Sequence, residues 1–73
     1  MATAAVIGEA FAVEGYALAG AIVHAADSHD EATAAWDTLP SDTALLILTA
    51  HAAGWLADRL LQRPGILTAV MRP

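Results

Sequence analysis

The chain has 73 residues, enough for a single small domain that we expect to span 1–73, close to the smallest size at which one core stabilises a fold. Its 58% hydrophobic and 15% charged residues exclude an intrinsically disordered protein. Eight acidic residues against three arginines and no lysine give a net charge of −5, which argues against nucleic acid as a partner, and the absence of cysteine excludes disulfides and thiol catalysis.

The longest stretch without an acidic or basic residue runs from Thr43 to Ala57 and holds 15 residues, whereas a membrane-spanning helix needs about 20. No basic segment precedes an apolar run at the N-terminus, as a signal peptide would require. We therefore expect a cytoplasmic protein that does not insert directly into a membrane.

The first half of the chain predicts two strands around one helix. The strands are the apolar runs 2–7 and 21–26, which are continuous rather than alternating, as in strands buried on both faces of a parallel sheet. The helix is predicted over 11–19.

This half of the chain contains three glycines, at positions 8, 15 and 20. Their spacing differs from that of a dinucleotide-binding fingerprint, and a phosphate-binding loop with its lysine is excluded because the chain has no lysine. We predict structural roles instead: a tight turn at Gly8, close packing of helix on sheet at Gly15 and a helix end at Gly20.

The second predicted helix has a clear beginning and end. Ser28 and Glu31 have the spacing of a capping box, and Pro40 stops the helix after Leu39. The apolar positions of this helix form one stripe that we expect in the core: Ala32, Ala35, Trp36 and Leu39.

A third strand, a third helix and a fourth strand complete the chain. The strands are the apolar runs 44–48 and 66–70. The helix between them is predicted to begin after Thr49 as its cap and to run to about residue 62 or 63, before the Pro-Gly break that precedes the last strand.

The order βαβαβαβ predicts an α/β fold with a four-stranded parallel sheet and right-handed crossovers. The expected strand order is 2-1-3-4, the beginning of a flavodoxin-like or receiver-like fold that is incomplete by itself. One face of the third and fourth strands would then lack a helix and present either Leu45 and Ile47 or Leu46 and Leu48, with neighbours from 66–71. Such an apolar surface is typical of an interface, and the candidates chosen for it are Leu45, Ile47 and Ile66.

Catalytic, metal-binding and cofactor-binding sites are not predicted. A phosphoacceptor site would need an acid after the third strand, and that strand is followed by Thr-Ala-His. The histidines at 24, 29 and 51 lack the spacing that places two ligands on one helical face. Glu9 and Glu14 form a possible carboxylate pair, but the sequence supplies no base or nucleophile for them.

The two tryptophans have different predicted environments. Trp36 belongs to the core stripe, whereas Trp55 falls on the polar side of the third helix together with Arg59. An outward tryptophan is a candidate interface anchor. The second interpretation is an aromatic without a partner, either isolated and exposed or covering the helix flank, so the sequence leaves both interpretations of Trp55 open.

The order of these motifs resembles the F subunit of V-type and archaeal-type rotary ATPases. The resemblance covers almost the whole chain and is carried by Val6-Ile7-Gly8-Glu9, Gly15-Tyr16, Leu18-Ala19-Gly20, Leu48-Thr49 and Pro73. It implies a non-catalytic rotor protein of the central stalk, peripheral to the membrane, which binds the coiled-coil D subunit inside the ring of A and B subunits. The family continues into a C-terminal helical segment, so the resemblance is to a short form that lacks it.

Two other functions remain open at this point. One is a stand-alone interaction module that forms homo-oligomers through the open sheet face or the edge of the fourth strand. The other is a domain that binds a small ligand or phosphate with the loops after strands 1 and 3.

Overall fold

The computed structural model describes residues 3–13 and 21–71. Its strands form one all-parallel sheet in the order β2-β1-β3-β4, with helices between them, so the predicted α/β class and strand order are confirmed. The strands are β1 (Thr3–Gly8), β2 (Ile22–Ala25), β3 (Thr43–Leu48) and β4 (Leu67–Val70). The helices are α1 (Ala10–Val13), α2 (His29–Asp37), α3 (Ala50–Trp55) and α4 (Ala57–Leu60).

The core lies between the two central strands and the helices α2 and α3. Because side chains alternate along a strand, every second residue of β1 and β3 faces these helices. The side chains of Ile7, Leu46 and Leu48 are fully buried there, and Leu56 joins them from between α3 and α4. The apolar runs of β1 and β3 thus become strands with one face in this core. The runs that form β2 and β4 were also predicted to be buried on both faces, but these strands lie at the edges of the sheet, and all four residues of β4 are exposed.

Helix α2 begins as the capping box predicts. The backbone N–H of Glu31 donates to the Ser28 hydroxyl at 3.2 Å, and the Glu31 carboxylate accepts from the N–H of Asp27 at 2.7 Å. The helix ends at Asp37, two residues before the predicted end, with Thr38 as its C-cap. The four residues of the predicted stripe are all buried: Ala32, Ala35, Trp36 and Leu39.

The third predicted helix is in fact two short helices. Its start is confirmed, because the Thr49 hydroxyl accepts from the N–H of Ala52 at 3.2 Å. The helical backbone is interrupted at Leu56, two residues after Gly54, and resumes as α4 until Leu60. Glycine is the poorest helix former in this segment, and a helical period alone did not reveal the interruption.

The first helix begins at Ala10, one residue before its predicted start. Its predicted continuation to residue 19 lies outside the described residues, and so do Gly15 and Gly20 with the roles assigned to them. Val13 of α1 and Val6 of β1 are buried outside the main core, on the opposite side of the sheet.

On that opposite side, β3 and β4 form what we call the open face, made of Leu45, Ile47, Leu67 and Ala69. The parallel register places Leu45 beside Leu67 and Ile47 beside Ala69. The two β3 residues are half-buried, whereas Leu67 is 71% exposed. The structure therefore selects Leu45 and Ile47 over Leu46 and Leu48 as the residues of this surface.

Within the described ranges, no helix has both the length and the apolar character that crossing a bilayer requires.

Candidate functional site

The carboxyl ends of β1 and β3 lie side by side at one edge of the sheet. The register pairs Ile7 with Leu48, so the residues that follow these two strands meet at this edge. After β1 the chain continues with Glu9, and after β3 with Thr49 and His51. Residues about 40 positions apart in the sequence therefore come together here.

Gly8 makes this meeting possible. It is buried at the end of β1, and a β-carbon at this position would collide with the methyl group of Thr49 and lie 2.8 Å from its hydroxyl oxygen. Thr49 is itself held in place because its N–H donates to the carbonyl of Ile7 at 3.3 Å. The glycine at this position thus serves a close approach between two strands, in addition to the predicted turn.

Glu9 carries the carboxylate at the centre of the site. The Thr49 hydroxyl donates to its Oε1 at 2.5 Å, its Oε2 lies 3.1 Å from Nδ1 of His51, and its side chain is only 15% exposed. The Thr49 hydrogen bond lowers the pKa of Glu9 below its ordinary value, and His51 acts in the same direction while burial opposes both. The carboxylate is therefore ionised at neutral pH.

His51 and Trp55 extend the site along α3. The imidazole is 76% exposed and stacks on the Trp55 indole, with 5.9 Å between the ring centroids and 23° between the planes. When His51 is neutral, a hydrogen bond from Nδ1–H to Glu9 leaves Nε2 as the acceptor nitrogen. Glu9, Thr49, His51 and Trp55 thus form a continuous chain of contacts, which we call the edge cluster.

A groove of about 360 Å³ opens beside the edge cluster. Its surface is mostly apolar, and Phe11 contributes a ring that is 79% exposed. The residues that line the groove are Glu9, Phe11, Ala12, Thr49, Ala50, His51 and Met71.

The sequence-predicted interface residues have different environments. Leu45 and Ile47 lie on the open face, half-buried, and Arg59 is half-buried on α4. Ile66 does not lie on this surface as predicted, because it is buried in the main core immediately before β4, with 9% of its surface exposed. The predicted run 66–70 counted Ile66 with the strand, whereas the strand starts one residue later.

Trp55 is half-buried and packs against the main core. The helical period predicted an outward side chain, but the large indole covers the flank of α3 and reaches the boundary of the core. The second interpretation of Trp55, an aromatic that covers the helix flank, describes this geometry. Its role in binding a partner stays a prediction.

The three histidines do not converge. His24 lies in β2 and His29 begins α2, and no group of three potential ligands for a metal ion is present among the described residues. Among those residues, Nε2 of His24 is enclosed without a hydrogen-bond partner. His51 is the one histidine that joins the edge cluster.

Sequence reasoning missed the partners of Glu9. It paired Glu9 with Glu14, which lies outside the described residues, and supplied no other group. A signal was present, because a parallel order in which β1 and β3 are neighbours brings together whatever follows these strands. Glu9 and the Thr-Ala-His sequence after β3 were both visible in the sequence.

No protein-family model, curated protein or solved structure gives a significant match to this chain.

Proposed function

We propose that this protein is a non-catalytic central-stalk subunit of a V-type or archaeal-type rotary ATPase. In this role it binds the D-type coiled-coil subunit and helps couple ATP turnover to rotation and to proton or sodium transport. The resemblance of its motifs to the F subunit motivates the proposal, and the open face is the observation that carries it.

The open face supports a binding role because it leaves apolar side chains in water. Leu67 is 71% exposed on an edge strand, and Leu45 and Ile47 beside it are only half-buried. A partner that covers these side chains gains roughly 25 cal/mol for each Å² of apolar surface removed from water. A coiled-coil helix pair is a long, rigid partner that can lie along such a strip, and apolar side chains on its outer surface would cover these residues.

The placement of the motifs also supports the proposal. Two of the matched segments, Val6–Glu9 and Leu48–Thr49, are separated by 38 residues but form one unit at the edge of the sheet. Gly8 accommodates Thr49, and Thr49 binds Glu9. The order of weak motifs along the chain therefore corresponds to one packed structural feature.

The test is co-expression with the D-type coiled-coil subunit, followed by light-scattering mass on a sizing column. We expect a stable one-to-one complex. The variant Leu67→Glu should lose at least about thirtyfold in affinity, because the interface would have to bury a carboxylate in place of a leucine. Leu61→Glu is the matched control: Leu61 is 83% exposed at the end of α4, away from the open face, and should bind normally. If the wild-type chain forms no complex with the coiled-coil subunit, the proposal is contradicted.

A homo-oligomeric interaction module is the second candidate. The strand order leaves β4 at an edge of the sheet, and all four of its residues are exposed. An exposed edge strand pairs readily with another copy of itself. A monodisperse dimer in the same light-scattering experiment, with no complex formed, would favour this function over the first.

A further inference from the structure

The groove beside the edge cluster occupies the position where open α/β sheets bind ligands. From β1 the chain crosses to one side to form β2 and then returns to the other side of β1 to form β3. The point of reversal lies between β1 and β3, and ligands bind in the crevice outside the carboxyl ends of the strands at such a point. The groove is lined by residues that follow these two strands and by Met71 after β4, and its volume of about 360 Å³ is that of a small-molecule site.

The charge of the groove selects the class of ligand. Its described lining contains the ionised carboxylate of Glu9 and contains no lysine or arginine. A phosphate, which the sequence left open as a ligand, would meet this negative charge directly. Among the described residues, each Glu9 oxygen accepts one side-chain hydrogen bond, from Thr49 or from His51, and a carboxylate oxygen can accept two. The site is therefore suited to a donor with positive charge.

The apolar part of the groove selects the body of the ligand. Phe11 is 79% exposed, and Met71 and Ala12 lie on the same lining. An aromatic or aliphatic group placed against Phe11 would remove this surface from water. A cation near the ring face would gain a further attraction from the ring quadrupole.

We propose that this groove binds a small organic cation, namely a primary ammonium on an aromatic or aliphatic body. The ammonium donates to Glu9, and the body lies against Phe11 and Met71. This site is separate from the open face, so an experiment that contradicts the central-stalk function would not contradict the binding site, and the reverse also holds.

The test is an NMR titration of ¹⁵N-labelled protein with phenethylammonium. We expect saturable shifts of the amides of Glu9, Ala12, Ala50 and His51. Two probes with the same ring control for the charge: neutral 2-phenylethanol should bind at least about tenfold more weakly, the effect of losing one charge-assisted hydrogen bond, and phenylacetate should not saturate these shifts. Equal binding of the three probes, or no saturable shift with phenethylammonium, would overturn the proposal.

Three variants test which parts of the groove bind the probe. Glu9→Gln keeps the size of the side chain and an oxygen for Thr49, and it should weaken phenethylammonium about tenfold while leaving 2-phenylethanol unchanged. Phe11→Ala removes a ring that is 79% exposed, and it should weaken both probes. Asp30→Asn removes one negative charge at an exposed position on α2 and should change neither affinity. If Asp30→Asn weakens phenethylammonium as much as Glu9→Gln, the net charge of the protein attracts the probe and the groove does not.

Discussion

The close approach of Gly8 and Thr49 predicts a large effect from the smallest possible substitution. In Gly8→Ala the added methyl would collide with the Thr49 methyl and lie 2.8 Å from its hydroxyl oxygen. Overpacking at a buried site costs about 1–3 kcal/mol. If Thr49 rotates away instead, it loses its bond to the charged Glu9, about 1.5–3 kcal/mol, and its cap on α3, about 1 kcal/mol.

The first response costs about 1–3 kcal/mol and the second about 2.5–4 kcal/mol, so we expect a destabilisation of about 2–4 kcal/mol. A domain of 73 residues has a free energy of unfolding of about 4–11 kcal/mol, so the loss is a large part of the total. Urea unfolding followed by far-UV circular dichroism at 25 °C measures it directly. Gly54→Ala is the control: a β-carbon at this exposed position in α3 meets no atom within 4 Å, so the same substitution should stabilise the helix by about 0.5–1 kcal/mol.

A double-mutant cycle tests the cause of the Gly8→Ala effect. Thr49→Ala alone should cost about 2.5–4 kcal/mol, because it removes the cap and the bond to Glu9. In that background the atom nearest to the added methyl at position 8 is the remaining β-carbon of residue 49, at 3.0 Å, so Gly8→Ala should cost about 1 kcal/mol there. Additive effects, within about 0.5 kcal/mol, would refute the argument that Gly8 is required to accommodate Thr49.

Three further predictions test other parts of the structure. The pKa of Glu9 is lowered in the folded protein, chiefly by the Thr49 hydrogen bond, so its contribution to stability is complete above its ordinary pKa near 4.5 and is lost as the pH falls through the folded value. Urea unfolding of the wild type should therefore lose more free energy below pH 4.5 than that of Glu9→Gln, and equal losses would contradict the assignment. Trp36→Ala should cost about 3–5 kcal/mol, whereas Trp55→Ala should cost about 1–2 kcal/mol because the indole is half-buried; equal losses in thermal or urea unfolding would contradict this difference. Ser28→Ala should cost about 1 kcal/mol through the lost N-cap of α2, and a urea midpoint equal to that of the wild type would show that the cap is dispensable.

The architecture was predictable from the sequence because it depends on local patterns and on handedness. Continuous apolar runs predicted parallel strands, and the rule of right-handed crossovers then left few orders for them. The start of α2 followed from Ser28 and Glu31, whose bonds involve neighbouring residues. The open face also followed from the sequence, because counting the predicted helices on each side of the sheet left one side of β3 and β4 without a helix.

The edge cluster was not predicted, because its contacts depend on how far apart the side chains after β1 and the side chains after β3 lie. Whether Glu9 reaches Thr49 and His51 is decided by the register of β1 against β3, and the sequence does not contain this register in explicit form. The interruption at Leu56 and the inward position of Ile66 were missed for a related reason. Both depend on how the end of one element packs on the core, which propensity and period do not describe.

The edge strand β4 has a consequence for the order in which the protein opens. Its four side chains are all exposed and it has one neighbouring strand, so its detachment from β3 gives up little buried apolar surface. Regions of this kind open by local fluctuations well below the free energy of global unfolding. The amides of β4 should therefore exchange with solvent hydrogen long before those of the central β1. A partner that binds the open face would slow this exchange and so stabilise the least protected strand of the sheet.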